Sequence, residues 1–342
     1  MSGAVGAAAQ ASMLGAAKII HYGNETQHAR WLPPIARGDI LPTIAVTERE
    51  SGGDVLAMRT SAVRDGEDYI INGSKIYVGN SHVADVHGVV ARTGGPEAKR
   101  SKALSAFLIE SDRDGVHLVP YPGALGLHGF SFGEIVFTDC RVPAANRLGA
   151  EGHGRDVAYS SSLTYGRPNL AAVALGIQRR LLEETTAYAA AQHRSGRPLA
   201  DIGVNRDRLG RMQHRLMASQ QALYLAADLL DRRPRPPCDA ELIHANLACT
   251  EGALASANDA MRLHAACGLF TDRPIERLYR DARCLEPPAG TTDIQLLRLS
   301  EFALGIERWQ WSQLVAGADE PSENTAGTDA QGADAGAGNA PA

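Results

Sequence analysis

The stretch "CLEPPAGTTDIQ", Cys284 to Gln295, passes from turn-forming prolines into what reads as the first turn of a helix. At its centre stands Ala289, whose methyl group accepts no proton. The nearest carboxylate, Glu286, precedes Pro287 and Pro288, so its backbone is expected to be extended and the direction of its side chain is open. Tyr165 offers a phenol, a poor base near neutral pH unless its pKa is strongly shifted. The plain alternatives are a solvated turn carboxylate for Glu286 and helix-start packing for Tyr165. A second stretch, "AVTERESGGD", places the Thr47 hydroxyl ahead of Gly52 and Gly53, where the backbone can approach a bound group closely. An ordinary glycine-rich loop between strands has the same composition. The five cysteines, Cys140, Cys238, Cys249, Cys267 and Cys284, are odd in number and never in CxxC or Cys/His spacing, so no disulfide framework and no metal site is indicated.

Two kinds of element must position these residues. From Pro42 to Pro143 the pattern is β: "SAVRDGEDYIINGSKIYV" alternates with period two and contains Asp65-Gly66 and Asn72-Gly73, both favoured in tight hairpin turns. "HGVVA", "ALSAFLIE" and "GEIVFTDCRV" continue it. Beyond Gly154 the period becomes helical. Leu170, Ala174, Ile177, Leu181 and Tyr188 share one face, and Leu209, Met212, Leu216, Leu223, Ala227 and Leu230 share another. Third and fourth helices are expected over 240–263 and 292–304, the last started by a Thr292/Gln295 capping box. The fold class is therefore α+β, a small β domain over 41–147 followed by a four-helix bundle over 151–315. The tail from 316 to 342 holds Gly, Ala and acidic residues and nothing aliphatic larger than Ala, so disorder is expected there.

Taken in order, several stretches resemble the acyl-CoA dehydrogenase family of flavoproteins. "AVTERESGGD" is similar to its T-E-P-x-x-G-S-D loop, "YIINGSKIYVGNSHVAD" to its Y-x-x-N-G-x-K-x-W-I-T-N-x-x-x-A-D, and "IERLYRDAR" with "AGTTDIQ" to its R-D…E-G-T-x-x-I-Q. The resemblance spans Gly23 to about Gly305. It implies an N-terminal helical domain, here shortened to a remnant over residues 1–40, and FAD held between the β domain and the bundle and across a subunit interface. The implied reaction is α,β-desaturation of an acyl thioester on CoA or an acyl carrier protein: a carboxylate takes the α proton while a hydride leaves the β carbon for the flavin.

By the same resemblance Val46, Thr47, Gly52 and Gly53 fall on the flavin loop, and Gly53 and Arg167 on the substrate side. Tyr77 stands at the flavin-stacking Trp, with plain core or surface packing as its alternative, and Gly79 replaces a Thr near flavin N5. Gln192 replaces an Arg that meets the FAD diphosphate from a neighbouring subunit. Ser195 replaces an aromatic residue, and Arg262 stands where a Gln contacts the cofactor, or else lies on a solvated helix face. Gly290 and Thr291 complete the cofactor turn. The family's two alternative base positions are occupied by Ala289 and Gly166, so neither holds a carboxylate. His264 and Cys267 read as packing residues.

The resemblance thus implies an oligomer, a homo- or hetero-tetramer, whose electron acceptor is unreadable. It leaves two further readings: a base-lacking subunit completed by a partner, and a non-redox enzyme acting on an acyl thioester. The net charge of −5 resides in the five acidic residues after Gly317, so nothing calls for nucleic acid or an anionic membrane. No apolar run is read as long enough to cross a bilayer and no basic leader is seen, so a cytoplasmic location is expected.

Overall fold

The computed structural model describes residues 2–95, 98–120 and 123–315, and the expected disordered tail lies outside them. Two helices come first, α1 (Gly3–Tyr22) and α2 (Glu25–Arg37). Asn24 and Gln27 close a reciprocal capping box at the start of α2, and Gly38 ends it in the left-handed conformation. Helix α1 bridges the two halves of the protein. Ala4 and Ala7 join the bundle core, whereas Ile19 packs with Trp31 against the sheet. Gly15 permits this, because a Cβ there would meet the Thr43 amide nitrogen at 2.6 Å. By length and mean hydropathy α1 also has the composition of a membrane span, contrary to the sequence expectation, but half of it is buried within the protein.

The β domain consists of β1 (Pro42–Ala45), β2 (Ser61–Asp65), β3 (Asp68–Gly79), β4 (Val86–Arg92), β5 (Leu104–Glu110), β6 (Val116–Pro120), β7 (Phe132–Pro143) and β8 (Arg147–Leu148). Their order is β6-β7-β3-β2-β4-β5-β8, with β1 parallel to β4. Period-two alternation buries Ile71, Val89, Phe107, Ile135 and Phe137 in one core. Asp65-Gly66 turns β2 into β3 as expected. Asn72-Gly73 does not form a hairpin. It lies inside β3 at a register shift against β7, where the Asn72 amide exchanges hydrogen bonds with Asp139 and Gly73 takes φ +140°.

The bundle follows: α3 (Gly154–Ser161), a wider π-type turn over Ser162–Gly166, α4 (Arg167–Ala191), α5 (Gly203–Asp231), α6 (Asp239–His264), α7 (Ile275–Arg283), α8 (Thr292–Ala303) and the short α9 (Trp311–Leu314). The apolar stripes meet in a core that includes Leu170, Ala174, Ile177, Leu181, Met212 and Leu223. Helices α3, α7 and α9 are additions to the expected four, and α8 is capped one residue earlier than expected. Thr291 caps Ile294, while Gln295 turns inward to donate to Asn246 and to the Gly290 carbonyl.

Candidate functional site

The chain brings its two base positions together. Gly166 ends the π-type turn, Ala289 lies between α7 and α8, and a Cβ built on Gly166 would stand 3.5 Å from the Ala289 Cβ and 3.6 Å from a Leu14 methyl of α1. Neither position offers a proton acceptor. Arg167, the next residue, is buried and reaches back so that its Nε donates to the Ala289 carbonyl at 3.4 Å. Burial lowers its pKa to about 10, so it remains cationic at neutral pH. Ala289 and Gly290 both take left-handed backbone, φ +60° and +96°, which turns the chain sharply into α8.

The two candidate substitutes are otherwise engaged. Glu286 is half-buried and ion-paired with Arg283. Burial raises its pKa, Arg283 opposes this, and Glu251 of α6 adds to the rise. The Tyr165 hydroxyl hydrogen-bonds His21 Nε2 at 2.9 Å, with the two rings stacked at 5.5 Å. Burial, and then Arg235, lower the His21 pKa.

The loop after β1 is held from beneath. Lys75 donates to the Val46 carbonyl at 3.0 Å and to the Glu48 carboxylate at 2.7 Å, while the Thr47 carbonyl accepts from Ile76. Burial acts to raise the Glu48 pKa, but Lys75 and the amides of Arg59 and Thr60 hold it below the usual carboxylate range. Above this support Gly52 and Gly53 are exposed, and nothing lies within 4 Å of where their side chains would be. A bulge between Lys75 and Val78 sets Tyr77 at φ +56° with its ring exposed, so the core alternative for Tyr77 does not hold. Beside the loop a cleft of about 470 Å³ is lined by Leu56, Ala57, Arg92, Gly94, Gly95 and Arg100.

Gly79 meets a residue that the sequence reading missed. The space a side chain would take there is filled by Phe130, whose ring Cζ would lie 2.6 Å from a Cβ, with Ala11 on the other side. Phe130 packs edge-on against Phe132 at 4.8 Å. Two phenylalanines in "HGFSFGEIVF", in a chain with only six, were the available signal.

Gln192 and Arg262 are exposed and lie at the C-terminal ends of α4 and α6. The 25 residues of α4 place Gln192 roughly 39 Å from Gly166. Within one chain these residues are therefore remote from the Gly166–Ala289 contact. Ser195 sits in the turn beyond Gln192 at φ +49°. His264 is buried and stacked on Tyr188, but Cys267 is exposed, contrary to its reading as a packing residue. Among the described residues no cluster of His, Cys, Asp and Glu has metal-ligating geometry.

Comparison with known proteins decides the family. The acyl-CoA dehydrogenase C-terminal, middle and N-terminal domains match residues 152–304, 43–140 and 1–39 in turn. An acyl-CoA dehydrogenase of Bacillus subtilis (strain 168) is 35% identical over 85% of this chain and 76% of its own. The chain belongs to the acyl-CoA dehydrogenase family. The N-terminal match starts at residue 1, so the resemblance extends beyond the Gly23 limit read from motifs and takes in α1. Among solved structures, a glutaryl-coenzyme A dehydrogenase in complex with glutaryl-CoA superposes with TM-score 0.85 at 30% identity, covering 90% of this chain and 77% of that one. A prolyl acyl carrier protein oxidase gives TM-score 0.82 at 29% identity, covering 88% and 79%.

Acyl-CoA dehydrogenases are FAD-dependent. The residues present fit a flavin along Val46–Gly53, where the glycines leave the loop surface open, and at Tyr77, whose ring is exposed. At Gly79 they offer no hydroxyl, and Phe130 takes the space.

Proposed function

We propose that this acyl-CoA dehydrogenase relative dehydrogenates an acyl thioester, carried by CoA or an acyl carrier protein, with FAD as its cofactor. The observation that carries the reading is the ordered match of all three domains together with an open, rigidly supported loop at Thr47 to Gly53. FAD, when bound, supplies the hydride acceptor. In this reading Thr47 offers a hydroxyl to the flavin, Gly52 and Gly53 admit the backbone to close range, and Tyr77 offers a stacking face. Gly290 and Thr291 form the turn beside it. Arg92 and Arg100 line the cleft beside the loop, Arg92 donating to the Leu56 and Met58 carbonyls and Arg100 paired with Asp54.

The proposal makes the protein an oligomer. Gln192 and Arg262 join such a site only when a second copy supplies them, and α8 with the residues after it exposes Ile294, Leu296, Leu297, Phe302, Leu304 and Ile306. It also keeps the protein in the cytoplasm, a placement supported by five free cysteines and by the burial of α1 in the fold.

One observation favours a second reading. With Gly166 and Ala289 in mutual contact and no carboxylate on either, the chain also suits the role of a subunit completed by a base-bearing relative. Anaerobic addition of acyl thioesters to the purified flavoprotein separates the two. Bleaching of the flavin absorption supports an independent dehydrogenase. A flavin that stays oxidised with every thioester, but bleaches after coexpression with a base-bearing relative, supports the subunit.

A further inference from the structure

We propose that Arg167 forms a binding site for a carboxylate beside the Gly166–Ala289 contact, filled either by an acid group on the acyl chain or by a small free acid. The chain-borne source rests on the thioester reading above; the free acid does not.

Arg167 as a residue is 3% exposed, and the one hydrogen bond its guanidinium makes among the described residues is the long 3.4 Å contact from Nε to the Ala289 carbonyl. Among the described residues Nη1 and Nη2 make no hydrogen bond and no ion pair. Asp239 lies within charge range, yet its two oxygens accept from the Ser312 and Trp311 amides at 2.9 and 2.8 Å. The other charge acting on Arg167 is Arg298, of like sign. A largely buried guanidinium whose fork lacks a hydrogen-bond acceptor is costly, a cost offset when an anion occupies that fork. A guanidinium and a carboxylate match as two parallel hydrogen bonds.

The fork faces the Gly290 turn. Gly290 contributes no side chain, and a Cβ there would lie 3.9 Å from Nη2. The two base positions beside it, Ala289 and Gly166, supply no carboxylate, and Asp239 acts on it through its charge without a hydrogen bond, so the fork is left to an anion from outside the chain. A second orphan adjoins the same turn. Gln295 Oε1 is buried with no donor, although its Nε2 is bonded to the Gly290 carbonyl at 2.7 Å. That oxygen provides an acceptor for a water or a protonated oxygen accompanying the bound acid.

Calorimetric titration of the full-length flavoprotein tests this with matched pairs, butyryl-CoA against succinyl-CoA and hexanoyl-CoA against adipyl-CoA, and with free acetate and glutarate. The expected result is at least tenfold tighter binding of the acid-ended thioester in one pair, or saturable millimolar binding of a free acid. Either effect is lost in Arg167→Met and partly kept in Arg167→Lys, each variant being checked for wild-type circular dichroism. No preference together with no saturable acid binding overturns the proposal. So does a preference that survives in Arg167→Met, or inorganic phosphate binding as well as the acids. Binding of glutarate with no binding of any thioester upholds the Arg167 site and sinks the thioester reading instead.

Discussion

Gly166 and Ala289 come from opposite ends of the helical domain and meet at van der Waals range, 3.5 Å between a Cβ built on one and the Cβ of the other. A carboxylate on either would therefore act in the same place, within reach of Arg167. That contact makes the loss of both a property of one site.

Placing a carboxylate at either position is accordingly expected to speed proton abstraction. Gly166 has helical backbone and its nearest neighbours lie at ordinary contact distances, so Gly166→Glu is tolerated, and Arg167 compensates the buried charge. A positioned general base contributes about 10²–10⁴-fold. Turnover of an acyl thioester by Gly166→Glu or Ala289→Glu is expected to rise within that range. Glu286→Gln is expected to change turnover less than about threefold, because its carboxylate is held by Arg283. A large loss in Glu286→Gln would make it the base and contradict this assignment.

Lys18 gives a pH prediction. It is fully buried on α1, its Nζ has no hydrogen-bond partner, and burial followed by repulsion from Lys75 lowers its pKa to about 7. The folded value lies below the unfolded one, so between about pH 7 and 10.5 the unfolded chain binds more protons and stability rises with pH. Lys18→Met is expected to raise the urea midpoint at pH 7, with a gain on the order of a few kcal/mol, and to flatten this dependence. An unchanged pH profile in the variant would remove Lys18 as its source.

Gly73→Ala is expected to destabilise the β domain. Its φ of +140° is rarely adopted by L-residues, and a Cβ would meet the Thr60 Cα at 2.7 Å. Strained backbone costs about 1–3 kcal/mol per residue, and the clash adds to it. Gly66→Ala, at φ +63° with open space around it, serves as the milder comparison in thermal melts.

Leu297→Asp, in the exposed apolar face of α8, is expected to reduce the mass measured by light scattering and to lower the flavin content together with it. Loss of assembly with full flavin retention would separate the cofactor site from the interface.

Much of this protein was legible one segment at a time. Period-two alternation located β3, β4, β5 and β7, helical stripes located α4, α5 and α6 within a few residues, and residue identity alone told that positions 166 and 289 hold no carboxylate. Those signals are local, because a strand or helix repeats its burial pattern along its own axis. The tertiary structure decided the rest. Asn72-Gly73 reads as a turn until Asp139 across the sheet pairs with Asn72 and makes it a bulge. Phe130 carries no motif until the fold lays it over Gly79. Arg167 reads as a substrate-side residue by resemblance alone until the fold buries it beside Ala289 and engages Asp239 with the Trp311 and Ser312 amides. Each of these depends on a neighbour distant in sequence, and the free energy that fixes it, desolvation or cross-sheet pairing, exists only once the chain has brought the partners together.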